Sequence, residues 1–552
     1  MQDALLSLMM SNAVPSNAVP SNAVPSITQD TVLPLWSTFA YFPHQLVGIR
    51  WMLDKERNGT AVLDRHGGYK TVYGGFQCDD MGLGKTVQIT ATMINHPLSK
   101  TLLIAPLAML DTWATMCMKA GMPVYMIGPS GWERKKYDGP VRRWKGVSPA
   151  VYISNYEKLY HSPSQFTKGA FQTWDRIVLD EAHKIRNGSG EVARCARLIQ
   201  APIRWAVTGT PLVNSLKDVV SLLAFIGVPY SPLFLWEPRY RTMMPNLLLH
   251  RSLDSLRGVI KGAPPVPEIH ELVLPFVSEA EEEFYEGVQC GNKAPKAESK
   301  KTEKADALLE KYKHEQLSSI ETFKLLLRLR QLSVHPQVYV SAKRRENPAY
   351  ERADWVGPST KMAKIKDIML TDLEDIAQDP VQISITPCEE DGVVDFSIKV
   401  NTCHKYIIFC QFHDEMSLLR EFLLEEGLVA DENILLYHGG LTQSERGAVL
   451  KRSKETDETT VMLLQLHAGG VGLNLQEYDR IIFMSPWWTS ALTDQAVARA
   501  VRMGQTRVVK IYHLNLAIEK DSLLNIDRLI NDKAEQKRKM LANLFSACTV
   551  TL

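Results

Sequence analysis

Apolar residues in this chain come in short runs, separated by longer stretches whose pattern favours helix. In the first half the runs fall at 74–78, 102–105, 124–126, 151–153, 177–179 and 205–207. In the second half they fall at 406–410, 434–437, 461–464, 480–484 and 508–514. A strand apolar at every position is buried on both faces, and such strands alternating with helices build βαβ units around a parallel sheet. The pattern therefore predicts an α/β chain with two parallel sheets in tandem. Sites in sheets of this kind gather beyond the C-terminal strand ends.

Other stretches break this rhythm. Residues 11–25 repeat Ser-Asn-Ala-Val-Pro three times; turn formers and proline at that density bury no core, which predicts a disordered tail. The charge-free run 219–236 is interrupted by Gly227, Pro229 and Pro232, so it predicts a buried helix followed by a loop rather than a membrane span. Pro264 to Pro267 closes the first lobe. A Lys- and Glu-rich helical stretch follows at 279–313, then an amphipathic helix at 323–332 ending near His335 and Pro336. At 381–400, Val381, Ile383 and Ile385, then Val394, Phe396, Ile398 and Val400, alternate with polar residues around Glu390-Asp391-Gly392. That reads as a hairpin inserted into the second lobe.

Composition adds bounds. At 552 residues the chain is long enough for three or four structural units. A net charge of +1 says nothing for a nucleic-acid partner, since a basic groove would have to be local. The 8 cysteines form no Cys-x-x-Cys pair, which argues against a zinc module and for reduced thiols. No basic segment precedes the first apolar run, so no signal peptide and an intracellular protein are expected.

The candidate chemistry begins at Asp79-Asp80-Met81-Gly82-Leu83-Gly84-Lys85-Thr86, between an apolar run and a helical one. Gly82 and Gly84 let backbone N–H groups face phosphate oxygens at a helix N-terminus. Lys85 would reach the β- and γ-phosphates, and Thr86 would hold magnesium. The strict pattern starts with Gly where this chain has Asp79. Upstream, Gln45 in Tyr41-Phe42-Pro43-His44-Gln45 either reads an adenine edge or belongs to a capped surface helix. The strand at 177–179 ends in Asp180-Glu181, and two adjacent carboxylates there call for a cation. Asp180 would join the metal shell, and Glu181 would position the attacking water. Thr208-Gly209-Thr210-Pro211 reads only as a turn. Spacings of four and three place Gln495, Arg499 and Arg502 on one helix face. Their arginines either bridge to another helix or meet a γ-phosphate from across a cleft.

Taken in order, these motifs resemble the Swi/Snf family of ATPases within the second helicase superfamily. The resemblance runs over residues 35–535. It is carried by Phe42 to Gln45, the Asp79 to Thr86 loop, Ile104-Ala105-Pro106 with Trp113, Asn155-Tyr156, Asp180 to His183 and Thr208 to Pro211. In the second half it continues through Leu329-Arg330-Gln331, Ile408 to Gln411, His438-Gly439-Gly440, Ala468 to Asn474, Pro486-Trp487-Trp488 and 495–505. The nearest branch by these motifs is the DNA-repair one that often carries a RING insertion, here without the RING.

The resemblance implies two RecA-like lobes with ATP and Mg2+ between them, helical insertions separating the lobes, and double-stranded DNA across both. It implies a tail at 1–30, a first lobe at 31–267, a helical linker at 268–355, a second lobe at 356–515 and a C-terminal helical brace at 516–552. Lys85, Asp180 and Glu181 would face arginine fingers Arg499 and Arg502, with Gln45 and Gln495 beside the nucleotide. Pro106, Asn155, Tyr156, Gly439, Gly440, Gly469 and Gly470 would lie along DNA. The expected function is duplex translocation that remodels or displaces nucleosomes or other bound protein, in the nucleus if the host is eukaryotic. Asp80 stands for the usual Glu, Gln465 and His467 for a Ser and a basic residue, and Thr489-Ser490 for Asn-Pro. A DEAH-type RNA helicase and an ATPase-dead DNA-binding scaffold are the competing readings.

Overall fold

The computed structural model describes residues 32–63, 68–139, 142–144, 146–228, 238–258, 260, 262–290, 318–378, 382–390, 393–401, 403–466, 473–518, 520 and 523–546. The repeat-bearing tail and most of the 279–313 charged stretch lie outside these residues. So do Gly469 and Gly470.

The first lobe is a sheet of β1 (Thr60–Leu63), β2 (Tyr69–Gln77), β3 (Thr101–Ala105), β4 (Val124–Gly128), β5 (Gly131–Arg134), β6 (Val151–Asn155), β7 (Arg176–Asp180), β8 (Ile203–Val207) and β9 (Leu248–Leu249). Its order is β1-β2-β8-β7-β3-β6-β4-β5, with β9 also paired to β2. All pairings are parallel except β1 with β2 and β4 with β5.

Successive side chains of the central strands go to opposite faces, and each face has its own core. Leu102, Ile104, Ile177 and Leu179 pack with Val219 and Leu222 of α3 (Leu216–Phe225). Leu103, Val178 and Trp205 pack with Ile49 and Met52 of α1 (Pro43–Arg57) and Ile89 of α2 (Lys85–Asn95).

One buried ion pair ties α1 to the sheet. Arg176 donates to Glu56, with Nε 2.7 Å from Oε1, and Trp205 Nε1 and His96 Nδ1 lie 2.8 and 2.6 Å from the same carboxylate. Burial works against the charged Glu56, but Arg176, His96 and Trp205 together outweigh it and hold the carboxyl below its usual range. Arg176→Ala is expected to destabilise the first lobe by roughly 3–5 kcal/mol, because it strands a buried charge. Urea unfolding followed by tryptophan fluorescence would show it.

The second sheet contains β10 (Glu268–Leu274), β13 (Lys405–Cys410), β14 (Ile434–Tyr437), β15 (Thr460–Gln465), β16 (Arg480–Phe483) and β17 (Lys510–Leu516). Its order is β10-β17-β16-β13-β15-β14, parallel throughout. β10 corrects the boundary expected from sequence, which assigns 268–355 to a helical linker. Glu268 pairs with Lys510 and Leu274 with Leu516, and Leu274 is buried in the second core. An edge strand exposed on one side is half polar, so its run carries none of the signal that marks the central strands.

Further elements flank or cross this lobe. Helix α4 (Ser319–Val334) contains the expected amphipathic stretch and α5 (Thr360–Gln378) leads to the insertion. The insertion is a hairpin, β11 (Gln382–Glu390) with antiparallel β12 (Val393–Asn401), in register Gln382 to Asn401. It forms a two-stranded sheet of its own, paired with neither of the larger sheets. Its tip, Asp391-Gly392, is outside the described residues. After α6 (Ser490–Val497), the C-terminal α7 (Ile526–Ser546) returns to the first lobe. There Phe545 stacks on His250 at 3.5 Å between ring centroids, and Lys537 Nζ donates to Asn214 Oδ1 at 3.2 Å. At its other end Asp527 receives Lys361 Nζ at 2.7 Å and Ser333 Oγ at 2.8 Å, all three buried.

Candidate active site between the two lobes

β2 ends at Gln77 and α2 begins at Lys85, so the segment between them turns at the C-terminal edge of the first sheet. Gly82 and Gly84 have φ of 84° and 79°, the left-handed region that glycine enters without strain. A Cβ at Gly84 would also collide with the Gln45 amide. Lys85 Nζ folds over the loop and donates to the carbonyls of Asp79 and Asp80 at 2.7 and 3.2 Å. Gln45 lies against the loop: its Oε1 accepts from Phe42 N at 3.1 Å, capping α1, and its Nε2 donates to Leu83 O at 3.5 Å.

Asp180 and Glu181 close β7 at the same sheet edge. Asp180 accepts from Trp113 Nε1 at 2.7 Å and from Glu181 N at 3.0 Å, while its carbonyl accepts from Tyr156 OH at 2.6 Å. Glu181 has φ of 49°, and among the described residues it alone is a non-glycine with positive φ. Such strain costs about 1–3 kcal/mol and persists where the surroundings enforce it. Here His183 helps to do so, with Nδ1 3.3 Å from Glu181 Oε2 and 3.2 Å from Thr208 Oγ1. Thr208 in turn accepts from Thr210 N at 3.2 Å. The Thr208 to Thr210 turn, unremarkable as sequence, is thus the support beneath the carboxylates.

The environments of the two carboxylates differ. Burial, and then the neighbouring Glu181 charge, push the Asp180 carboxyl up. Burial acts on Glu181 too, but His183, Lys85 and Arg499 overcome it and hold Glu181 below its usual range. A cation at Asp180 would reverse the rise there, since it favours the charged form.

The second lobe supplies the opposite wall. Here the structure corrects the single helix face expected for Gln495, Arg499 and Arg502. α6 ends at Val497, and both arginines stand on the turns beyond it. Arg499 O accepts from Leu475 N at 3.1 Å, and Gln505 Nε2 donates to the carbonyls of Gln476 and Tyr478 at 2.9 and 3.0 Å. Those bonds, with buried Ala500 and Val501, fold the segment back before the helix can continue. Gln495 is buried within α6.

The turn is aimed at the first lobe. A Cβ on Gly82 would lie 3.7 Å from Arg502 Cβ, and Met503 packs against Leu83, Leu256 and Ile260. The Arg499 charge favours both the Glu181 and Asp180 carboxylates, although burial lowers its own pKa.

Of the residues expected along DNA, those described sit at C-terminal strand ends. Pro106 opens a turn after β3, and Gly439 and Gly440 are exposed on the loop after β14. Asn155 ends β6 and Tyr156 follows it, but the two residues are only 6% and 3% exposed. Asn155 Oδ1 caps the next short helix by accepting from Lys158 N at 2.8 Å, and Tyr156 holds the Asp180 carbonyl. These two residues therefore offer little surface to a duplex and serve the neighbouring strand ends instead. Trp113 and His183, which bond to Asp180 and face Glu181, are parts of the site to which sequence reading assigns no role. Each acts on a partner distant in the chain or through a bond no motif spells out.

The donor set fits a nucleoside triphosphate with a divalent cation. Two left-handed glycines open the loop, Lys85 stands over it, and the Asp180-Glu181 carboxylates close the neighbouring strand at the same sheet edge. Among the described residues no cluster of three or more His, Cys, Asp or Glu could hold a metal by itself, and no helix is long and apolar enough to cross a membrane. A phosphate loop and strand-end carboxylates on one parallel sheet, faced by arginines from a second, define a two-lobed, RecA-like ATP hydrolase. Residues 44–338 match the SNF2-related domain and 391–504 the helicase conserved C-terminal domain. The chain belongs to the SNF2-related family and is, by that membership, a helicase-like DNA-dependent ATPase.

Among its relatives is a "Probable global transactivator" of Orgyia pseudotsugata multicapsid polyhedrosis virus, 26% identical and covering 91% of each chain. "DNA excision repair protein ERCC-6-like" of Danio rerio is 26% identical over 86% of this chain and 34% of its own. "DNA repair protein RAD5B" of Arabidopsis thaliana is 24% identical over 94% of this chain and 49% of its own. The chain thus spans a third to half of these cellular relatives. The solved "Sulfolobus solfataricus SWI2/SNF2 ATPase core in complex with dsDNA" is 18% identical, with a TM-score of 0.35, over 94% of this chain and 100% of that one.

Proposed function

We propose that this chain moves along double-stranded DNA, hydrolysing ATP between its lobes, and so displaces or remodels protein bound there. The observation that carries the reading is the placement of the second lobe's Arg502 beside Gly82 of the first, with the Arg499 charge reaching Glu181. A site completed by both lobes is complete only when they close, so each turnover is tied to a relative movement. Thr86 and Asp180 would hold Mg2+, which supplies charge neutralisation on the transferred phosphoryl group. The exposed Gly439 and Gly440 backbone and the turn after Pro106 would follow DNA phosphates. The repair names of the cellular relatives favour a repair or remodelling task, in the nucleus if the host is eukaryotic.

ATPase rates without nucleic acid, and with duplex DNA, single-stranded DNA or RNA, test the reading. Stimulation is expected with duplex DNA, together with ATP-dependent displacement of a triplex third strand and no unwinding of a plain duplex. Preferential stimulation by RNA, or strand separation on a forked duplex, would replace this function with a true helicase. No turnover under any condition would leave a DNA-binding scaffold.

A further inference from the structure

Where a strict phosphate loop begins with glycine, this chain has Asp79, and its carboxylate is fully buried. A lone charge there would be costly. Arg251, itself 3% exposed, answers it with a fork: Nε lies 2.9 Å from Oδ1, and Nη2 pairs with Oδ2. Gln77 and Gln88 add amide donors to Oδ2 at 3.1 and 3.0 Å, and Asp79 N donates to Gln77 Oε1 at 2.9 Å. Burial would raise the Asp79 carboxyl, but the Arg251 bonds hold it below its usual range.

Arg251 reaches the loop because β9 pairs beside β2, with Cys78 N donating to Leu249 O at 2.8 Å. The same segment also fixes Asp80. Asp80 N donates to Arg251 O at 3.0 Å, and Leu253 N donates to Asp80 Oδ2 at 2.9 Å. The remaining Arg251 nitrogen, Nη1, donates to His44 O beside Gln45. What these bonds immobilise is the pair of carbonyls, Asp79 O and Asp80 O, on which Lys85 Nζ stands.

We propose that Arg251 is a positioning residue of the nucleotide site, acting through Asp79 to set the phosphate-loop backbone and the Lys85 ammonium, so that ATP affinity depends on it. The inference rests on ATP being the ligand of this loop. A pair that merely staples β9 to the sheet would instead change stability and leave affinity alone.

Arg251→Lys keeps the charge and loses the fork, and Asp79→Asn removes the charge. Both should be measured for equilibrium binding of a fluorescent ATP analogue, for duplex binding by anisotropy, and for thermal unfolding with and without the analogue. Folded variants are expected to bind duplex as the parent chain does, to bind the analogue about tenfold or more weakly, and to lose its thermal stabilisation. Should either single variant fail to fold, Asp79→Asn combined with Arg251→Gln leaves no lone buried charge and carries the same expectation. Parental affinity in a folded variant, even one with a lowered unfolding temperature, overturns the proposal. A parent chain that does not bind the analogue overturns the ATPase reading itself, and this inference with it.

Discussion

Glu181→Gln is expected to bind ATP and turn almost none of it over. The amide keeps the side chain's size, so the phosphate loop, Lys85 and Asp180 keep their places. What disappears is the charged oxygen that orients and polarises the attacking water. Glu181 suits that task because His183, Lys85 and Arg499 keep it ionised in a buried position. Loss of a positioned acid–base group costs about 10²–10⁴-fold in rate. Phosphate release at saturating duplex, beside equilibrium binding of ATP, measures both halves. Lys85→Ala should lose turnover and affinity together, since its ammonium meets phosphate already in the ground state. Parental turnover by Glu181→Gln would remove that residue from the site.

Arg499→Ala and Arg502→Ala are each expected to lower kcat by about a thousandfold while KM for ATP changes little. An arginine contributed from across a cleft acts on charge that develops as the phosphoryl group transfers, so removing it spares ground-state binding. The geometry supports separate roles. Arg499 bears electrostatically on Glu181 and Asp180, while the backbone of Arg502 lies against Gly82. If their task were a salt bridge within the second lobe, the variants would lose thermal stability, and the residual rate would follow the folded fraction. Steady-state kinetics beside circular dichroism separates the two.

The sequence alone determined the two parallel sheets. Runs such as 177–179 and 461–464 are apolar at every position, and a strand buried on both faces leaves little else to build. The phosphate loop and the Asp180-Glu181 pair were equally legible, because contiguous residues make each of them. The second-sheet edge strand Glu268–Leu274 was not, since half its surface meets solvent and its partner, β17, lies more than two hundred positions along the chain. The arginine turn departs from the helix its spacing predicts for a related reason. Spacings of four and three suit a helix, but Leu475 N takes the Arg499 carbonyl and the Gln505 side chain ties the segment to Gln476 and Tyr478. The cradle of Asp79 by Arg251, the hold of Trp113 on Asp180 and the His183 to Thr208 link were decided only by tertiary structure. Each joins strand ends far apart in the chain, and burial made such pairing obligatory by making unpaired charge costly.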